Sequence, residues 1–191
     1  MKDEEAGPRI GVREPPSSLA ERFIDDARRA GTPNPDVYLV MDHVPELMRT
    51  FHEHWRVMFD HGVVDRDLKE LVRRKVANYH ACETCKSIGV PGEEMSIDEK
   101  LAESYAWRQT SALTAREKAA MWLVDYLMGY EDSADDLYRE LHAHFTDAEI
   151  VELGWFVSFN VGTVRFVRSW NLHGSGAVGR PGSASASGGR P

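Results

Sequence analysis

Cysteine is nearly missing from this chain: its 191 residues hold two, Cys82 and Cys85, three positions apart. So few thiols exclude a scaffold built on disulfides, and a zinc site made of four thiolates has no second pair to complete it. Basic charge is also short, with 23 Lys and Arg against 31 Asp and Glu and a formal net charge of −8. A nucleic-acid or anionic-membrane face needs clustered cations, so neither partner is expected. The one basic run, Arg73-Arg74-Lys75, is expected to lie on a solvated helix face. No apolar run reaches the length of a membrane span, and the polar start from Met1 to Pro16 lacks the apolar core of a signal peptide. A cytoplasmic protein with reducible thiols is the expectation. No stretch alternates apolar and polar residues long enough for a strand. No glycine-rich phosphate loop follows one, so no nucleotide cofactor is predicted.

What is present reads as one helical domain. Residues 1–17 mix charge with Gly7, Pro8, Pro15 and Pro16, and residues 174–191 are mostly Gly, Ser, Ala, Arg and Pro. Both ends are expected to be disordered, because they carry too little apolar surface to offset the entropy of ordering. A single domain over 18–173 remains. A first helix spans Ser18 to Ala30 and ends at Gly31, Pro33 and Pro35. Asp36 to His61 is helical by its apolar spacing, with a break at Pro45. Asp65 to Tyr79 sets Leu68, Leu71, Val72 and Val76 on one face, with Glu70 off that stripe and four residues from Arg74. After the cysteines, Gly89-Val90-Pro91-Gly92 should stop a two-turn helix. Ile97 to Trp107 suggests a short, largely exposed helix. Thr114 with Glu117 and Thr146 with Glu149 have capping-box spacing, and Ser133 to Phe145 is amphipathic.

The last helix, to about Trp170, is apolar nearly all round, from Ile150 through Trp155, Phe159 and Phe166. Such a helix is expected to be buried on every side, and a small domain rarely hides one alone, so an oligomer is inferred. Asn160 and Arg165 interrupt the apolar run and are candidates for a buried polar network near a binding site.

The chemistry centres on Asn78-Tyr79-His80-Ala81-Cys82-Glu83-Thr84-Cys85. Two thiols at this spacing can close a small disulfide ring and reopen it. At the first turn of a helix, unpaired amides and the helix dipole stabilise a thiolate. Two other uses stay open: an inert, buried pair, or half of a zinc site completed by His80 and a distant histidine. The spacing favours redox use over both. The other histidines form no ligand pattern, and no metal is assigned.

Glu70, eleven intervening residues, then Cys82-x-x-Cys85, preceded by Asn78, resembles the carboxymuconolactone decarboxylase family and its alkylhydroperoxidase D-like branch. Asp42 to Phe59, Leu113 to Tyr126 and Phe145 to Trp170 are similar to other helices of that family. The resemblance implies an all-α alkylhydroperoxidase D-like bundle, assembled as a homo-oligomer, a trimer or hexamer. It implies that Cys85 attacks a hydroperoxide, that Cys82 resolves the sulfenic acid, and that Glu70 starts a proton relay. It also implies re-reduction by an external dithiol such as lipoamide, free or on a reductant protein, with no bound cofactor. The family's relay histidine, four residues after the second cysteine, is replaced here by Gly89, and Thr84 stands where some members have another histidine. His80 is the substitute the sequence offers.

Three functions are open on this reading. The first is a cysteine-dependent peroxidase or disulfide oxidoreductase for small hydroperoxides, with Cys85, Cys82, Glu70 and His80 in the roles above and Asn160 and Arg165 at the substrate. The second is a decarboxylase-like enzyme working on a small acid or lactone by proton transfer. The third is a non-catalytic, redox-responsive oligomer.

Overall fold

The computed structural model of the chain describes residues 8–29, 36–87, 94–130 and 133–172. Among the described residues all regular structure is helical, as the apolar periodicity requires, and no strand is present. The elements are α1 Ser18–Arg29, α2 Asp36–Met41, α3 Pro45–Asp60, α4 Arg66–Tyr79, α5 Glu83–Ser87, α6 Glu94–Glu103, α7 Ala115–Leu127, α8 Ala134–His144 and α9 Asp147–Ser169.

The expected break at Pro45 is a true interruption of the helix. Pro45 opens α3 at its first turn, where the missing N–H has no partner to lose, and α2 stands as a separate helix. Both capping boxes form: Thr114 and Glu117 start α7, and Thr146 and Glu149 start α9. Asp65 caps α4 by accepting from the Leu68 amide at 2.8 Å. The two-turn stop at residues 89–92 lies outside the described residues.

α4 is the helix buried on every side, with α3, α5, α6, α7 and α9 around it. Leu68, Leu71, Val72, Val76 and Ala77 fill the core as the stripe predicts. The basic run, however, is not a solvated face: Arg73 is 1 % exposed and Lys75 2 %. Each cation is buried because a partner matches it, the one arrangement in which burying charge is tolerable. Lys69 pairs with Glu152 and donates to the His61 carbonyl at 3.2 Å. Lys75 pairs with Asp125 at 2.6 Å and donates to the Met121 carbonyl, while burial draws its pKa down. Arg73 pairs with Glu70 at 2.6 Å.

Within the single chain, α9 is buried on one side only. Ile150, Leu153, Phe156, Val157, Asn160 and Val164 face inward, but Val151, Trp155 and Phe166 are 60 %, 68 % and 59 % exposed. These three share one side of the helix with exposed Ser158, Gly162 and Arg165. By length and composition alone α9 could cross a membrane, against the expectation that no run would. Its inner face is part of the main apolar core.

Most described residues between Ile97 and Trp107 are exposed, as expected, while Ser104 and Trp107 are buried and the Trp107 Nε1 donates to Asp125 at 2.8 Å. One further expectation is corrected. The amino-terminal segment is ordered from Pro8 onward. The Arg9 amide donates to the Trp170 carbonyl at 2.8 Å and that of Arg13 to Leu39 at 3.1 Å. Ile10 and Val12 pack on a second apolar cluster of Val40, Trp170 and Leu172. Buried Asp42 accepts from the Ser17 amide at 2.7 Å and its hydroxyl at 2.5 Å. A few apolar contacts and backbone bonds thus tie down a segment whose composition reads as loose. Residues 1–7 and 173–191 lie outside the described residues.

The α3–α4 corner depends on Gly62, which has φ +124°. A Cβ there would sit 2.3–2.5 Å from the Glu152 carboxylate, which accepts from the Val63 and Val64 amides and pairs with Lys69. Gly62→Ala is expected to lower unfolding stability by about 1–3 kcal/mol, through backbone strain and a displaced carboxylate. Urea denaturation would measure this, and an unchanged midpoint would show that the corner relaxes freely.

Candidate active site at the cysteine pair

The chain reverses sharply between α4 and α5. His80 caps α4, and Ala81 adopts the left-handed region at φ +48°. The Cys82 amide then reaches back to the Ala77 carbonyl at 3.0 Å, as in helix ends that turn through one left-handed residue. Cys82 sits immediately before α5, and Cys85 lies on its first turn. The two are disulfide-bonded, with Cα atoms 5.2 Å apart, and both are buried.

A guanidinium held by an ion pair within α4 fastens α5 to it. Arg73 donates from Nε and Nη2 to the two oxygens of Glu70, at 2.7 and 2.6 Å, and from Nη1 to the Cys85 carbonyl at 2.5 Å. Arg74 adds a bond from its Nε to Glu70 at 3.0 Å. Glu70 therefore touches the cysteine pair only through Arg73, whose planar fork suits this bidentate grip.

Above the pair lies a cavity of about 270 Å³ between α1, α2, α3 and the inner face of α9. Ala27, Val37, Phe51, Trp55 and Val164 give it an apolar lining, to which Cys85, Arg73, Thr84, Asn160 and Thr163 add polar groups. His52 and Tyr38 join them from α3 and α2. The His52 ring stacks on Phe23 at 4.2 Å between centroids, and its Nδ1 is 3.4 Å from the Tyr38 hydroxyl. Burial draws the His52 pKa below the usual histidine value, against the opposing pull of Asp26. Burial, then Asp26, holds the Tyr38 phenol above its ordinary value. At neutral pH this places a neutral imidazole beside a protonated phenol.

The residues singled out from the sequence are only partly gathered here. Cys85 and Asn160 line the cavity; Cys82 lies behind Cys85, and Glu70 behind Arg73. His80 does not line it. Its Nε2 is buried without a partner among the described residues, and burial, then the charges of Arg165 and Arg168, draw its pKa down. Arg165 is exposed on the outer side of α9, so it belongs to no buried network with Asn160. Among the described residues, no three His, Cys, Asp or Glu side chains group as metal ligands.

Sequence reasoning missed Arg73, His52 and Tyr38. Arg73 is hidden in a run that resembles a solvated face. His52 left a signal: it falls among Met48, Phe51, Trp55 and Phe59 at helical spacing, a titratable ring on the apolar face of α3. Comparison of the chain with protein-family models, curated proteins and solved structures gave no match.

Removing Glu70 leaves a buried guanidinium without its counter-charge. Glu70→Ala is expected to lower stability by about 3–5 kcal/mol, and Glu70→Leu with Arg73→Met to recover much of that loss. A double-mutant cycle by chemical denaturation measures both; strict additivity would deny the coupling.

Proposed function

We propose that this chain is a dithiol-dependent peroxidase or disulfide oxidoreductase acting on small hydroperoxides, related to the alkylhydroperoxidase D-like branch it resembles. The observation that carries this reading is the asymmetry of the cysteine pair: Cys85 lines the apolar cavity and Cys82 does not. The attacking sulfur should meet substrate and the resolving sulfur should meet only its partner.

The cycle balances with one external dithiol, of the lipoamide kind, as its reductant. The dithiol transfers two electrons and two protons to the Cys82–Cys85 disulfide, leaving two thiols and becoming a disulfide itself. His52 takes the proton of the Cys85 thiol, and the thiolate attacks the outer oxygen of the hydroperoxide. The O–O bond breaks, the sulfur is oxidised to the sulfenic acid, and the peroxide is reduced, its inner oxygen leaving as an alkoxide that is protonated to the alcohol. Its proton comes through the Tyr38 hydroxyl, which passes on the one His52 holds. Cys82 then displaces the sulfenic hydroxyl as water and the disulfide returns. Proton transfer here needs a base that is neutral at neutral pH and a hydroxyl beside it to relay the proton, which His52 and Tyr38 supply and the locked Glu70 does not. Glu70 is a positioning residue for Arg73, and His80 and Arg165 stay outside the reaction. Re-reduction requires a reducing compartment such as the cytoplasm.

Turnover of cumene hydroperoxide with dihydrolipoamide tests this. Cys85→Ser should abolish turnover, Cys82→Ser should stop after one oxidation, and His52→Phe should slow it by roughly 10²-fold or more. Absence of turnover with both thiols reduced and titratable would overturn the reading.

The working form is proposed to be a homo-oligomer, a trimer or hexamer, covering the outer side of α9. Exposed Val151, Trp155 and Phe166 along one helix support this, since lone exposed apolar side chains are ordinary but an aligned set is not. Light scattering should give an assembly mass for the wild type and a monomer mass for Trp155→Glu; a monomeric wild type would refute it.

A further inference from the structure

α9 turns one side away from its own chain, and that side is ordered. Val151, Trp155, Ser158, Gly162 and Phe166 follow at steps of three or four residues, so they share one stripe, and all five are exposed. The stripe borders an open apolar groove of about 360 Å³ between α7, α8 and α9, lined by Leu127, Tyr138 and Val151 among others. The inner face of the same helix is committed to the main core, so α9 is not free to enter a bilayer.

Bulk along the stripe is arranged about a centre. Trp155 and Gly162 lie equally far from the Ser158–Phe159 peptide, and so do Val151 and Phe166. A second α9 running in the opposite direction, related by a two-fold axis at that peptide, would set Trp155 of each copy over Gly162 of the other and Val151 against Phe166. Gly162 has room for an indole: a Cβ added there meets nothing within 4 Å, and the missing side chain lets two helices approach closely. In a parallel pair each residue would instead meet itself. Two Trp155 rings would then collide, Gly162 would leave a gap, and Arg165 would face Arg165.

Charge and area agree with the antiparallel choice. Arg165 and Asp147 lie on the same side of the helix and are both exposed. In the antiparallel pair Arg165 would sit about five residues, or ~7 Å along the axis, from Asp147 of the second copy, within reach of its long side chain. Covering Trp155, Phe166 and Val151 would remove roughly 300–400 Å² of apolar surface from each copy, near half of the about 800 Å² per partner that a stable interface buries. The groove beside the stripe extends that surface.

We infer that α9 pairs with α9 of a second copy of this chain, antiparallel and two-fold, with Ser158 at the axis. This rests on the homo-oligomer reading above and names its contact. A two-fold contact closes on itself, so it admits assemblies with an even number of copies, the hexamer among them, and excludes the trimer.

The test uses Ser158→Cys in the full chain with the native disulfide closed. At the axis the two introduced thiols fall within disulfide reach, so mild oxidation should give a covalent dimer in roughly tenfold or greater yield than Ala143→Cys, an exposed position of α8. Peptide mapping should place the link between the two copies of position 158. Val151→Cys and Phe166→Cys should link when co-expressed and not when oxidised separately, since each lies roughly 20 Å from its own copy along the axis. Light scattering of the wild type should give an even multiple of the monomer mass. A monomeric wild type would overturn this inference and the oligomer reading together. An oligomer in which Ser158→Cys stays unlinked or Val151→Cys links to itself, or one with an odd number of copies, would overturn this inference alone. Capture by phosphatidylcholine vesicles without self-linking would assign the stripe to lipid and also overturn it. A plain dimer linked at position 158 would support the pairing and sink the larger assemblies alone.

Discussion

The bidentate pair between Glu70 and Arg73 is the constraint on which the site depends. It is buried, local to one helix and fully engaged, with the third arm of the guanidinium on the Cys85 carbonyl. A short helix such as α5 has little intrinsic stability. Its position relative to α4 is set by this contact, the disulfide and the tight turn at Ala81. The carboxylate that motif reasoning assigns to proton transfer does mechanical work here: it neutralises the cation that holds the reactive segment.

The same logic extends along α4. Lys69, Arg73 and Lys75 reach different neighbours, namely the α3–α4 corner and α9 through Glu152, α5 through Cys85, and α7 through Asp125 and Met121. Apolar surface drives these helices together but specifies rotation poorly. Matched charges have directions and partners, and a slip of one residue would leave several of them bare. The core is thus assembled by its apolar residues and registered by its buried charges.

The helices were legible in the sequence because each has a local cause. Pro45, Asp65, Thr114, Ser133 and Thr146 mark starts through their own backbone chemistry, and period-3.6 spacing marks the spans. Burial was less legible. Arg73 and Lys75 were read as solvated because residue type predicts exposure on average, while Glu70 and Asp125 overturn that average through contacts the sequence does not order in space. The composition of α9 shows that it is apolar all round but not which side faces its own chain; within one chain Val151, Trp155 and Phe166 face outward. The cysteine pair was found from spacing alone. The residues across the cavity were not, because Tyr38 and His52 come from helices remote from it in the chain, and only the fold brings them to Cys85.

The amino-terminal segment gives the cavity an unusual dependence. α2 has six residues, too few to persist alone, yet it supplies Val37 and Tyr38. The segment from Pro8 to Ser17 clasps α2 and its following turn to the end of α9, through a small apolar cluster separate from the main core. Cys85 belongs to the main core while Val37 packs on this smaller cluster, so the cavity they share lies where the two meet. The shape of the wall that faces the sulfur is therefore set in part by residues some seventy positions earlier in the chain, around Ile10 and Val12, which touch neither cysteine.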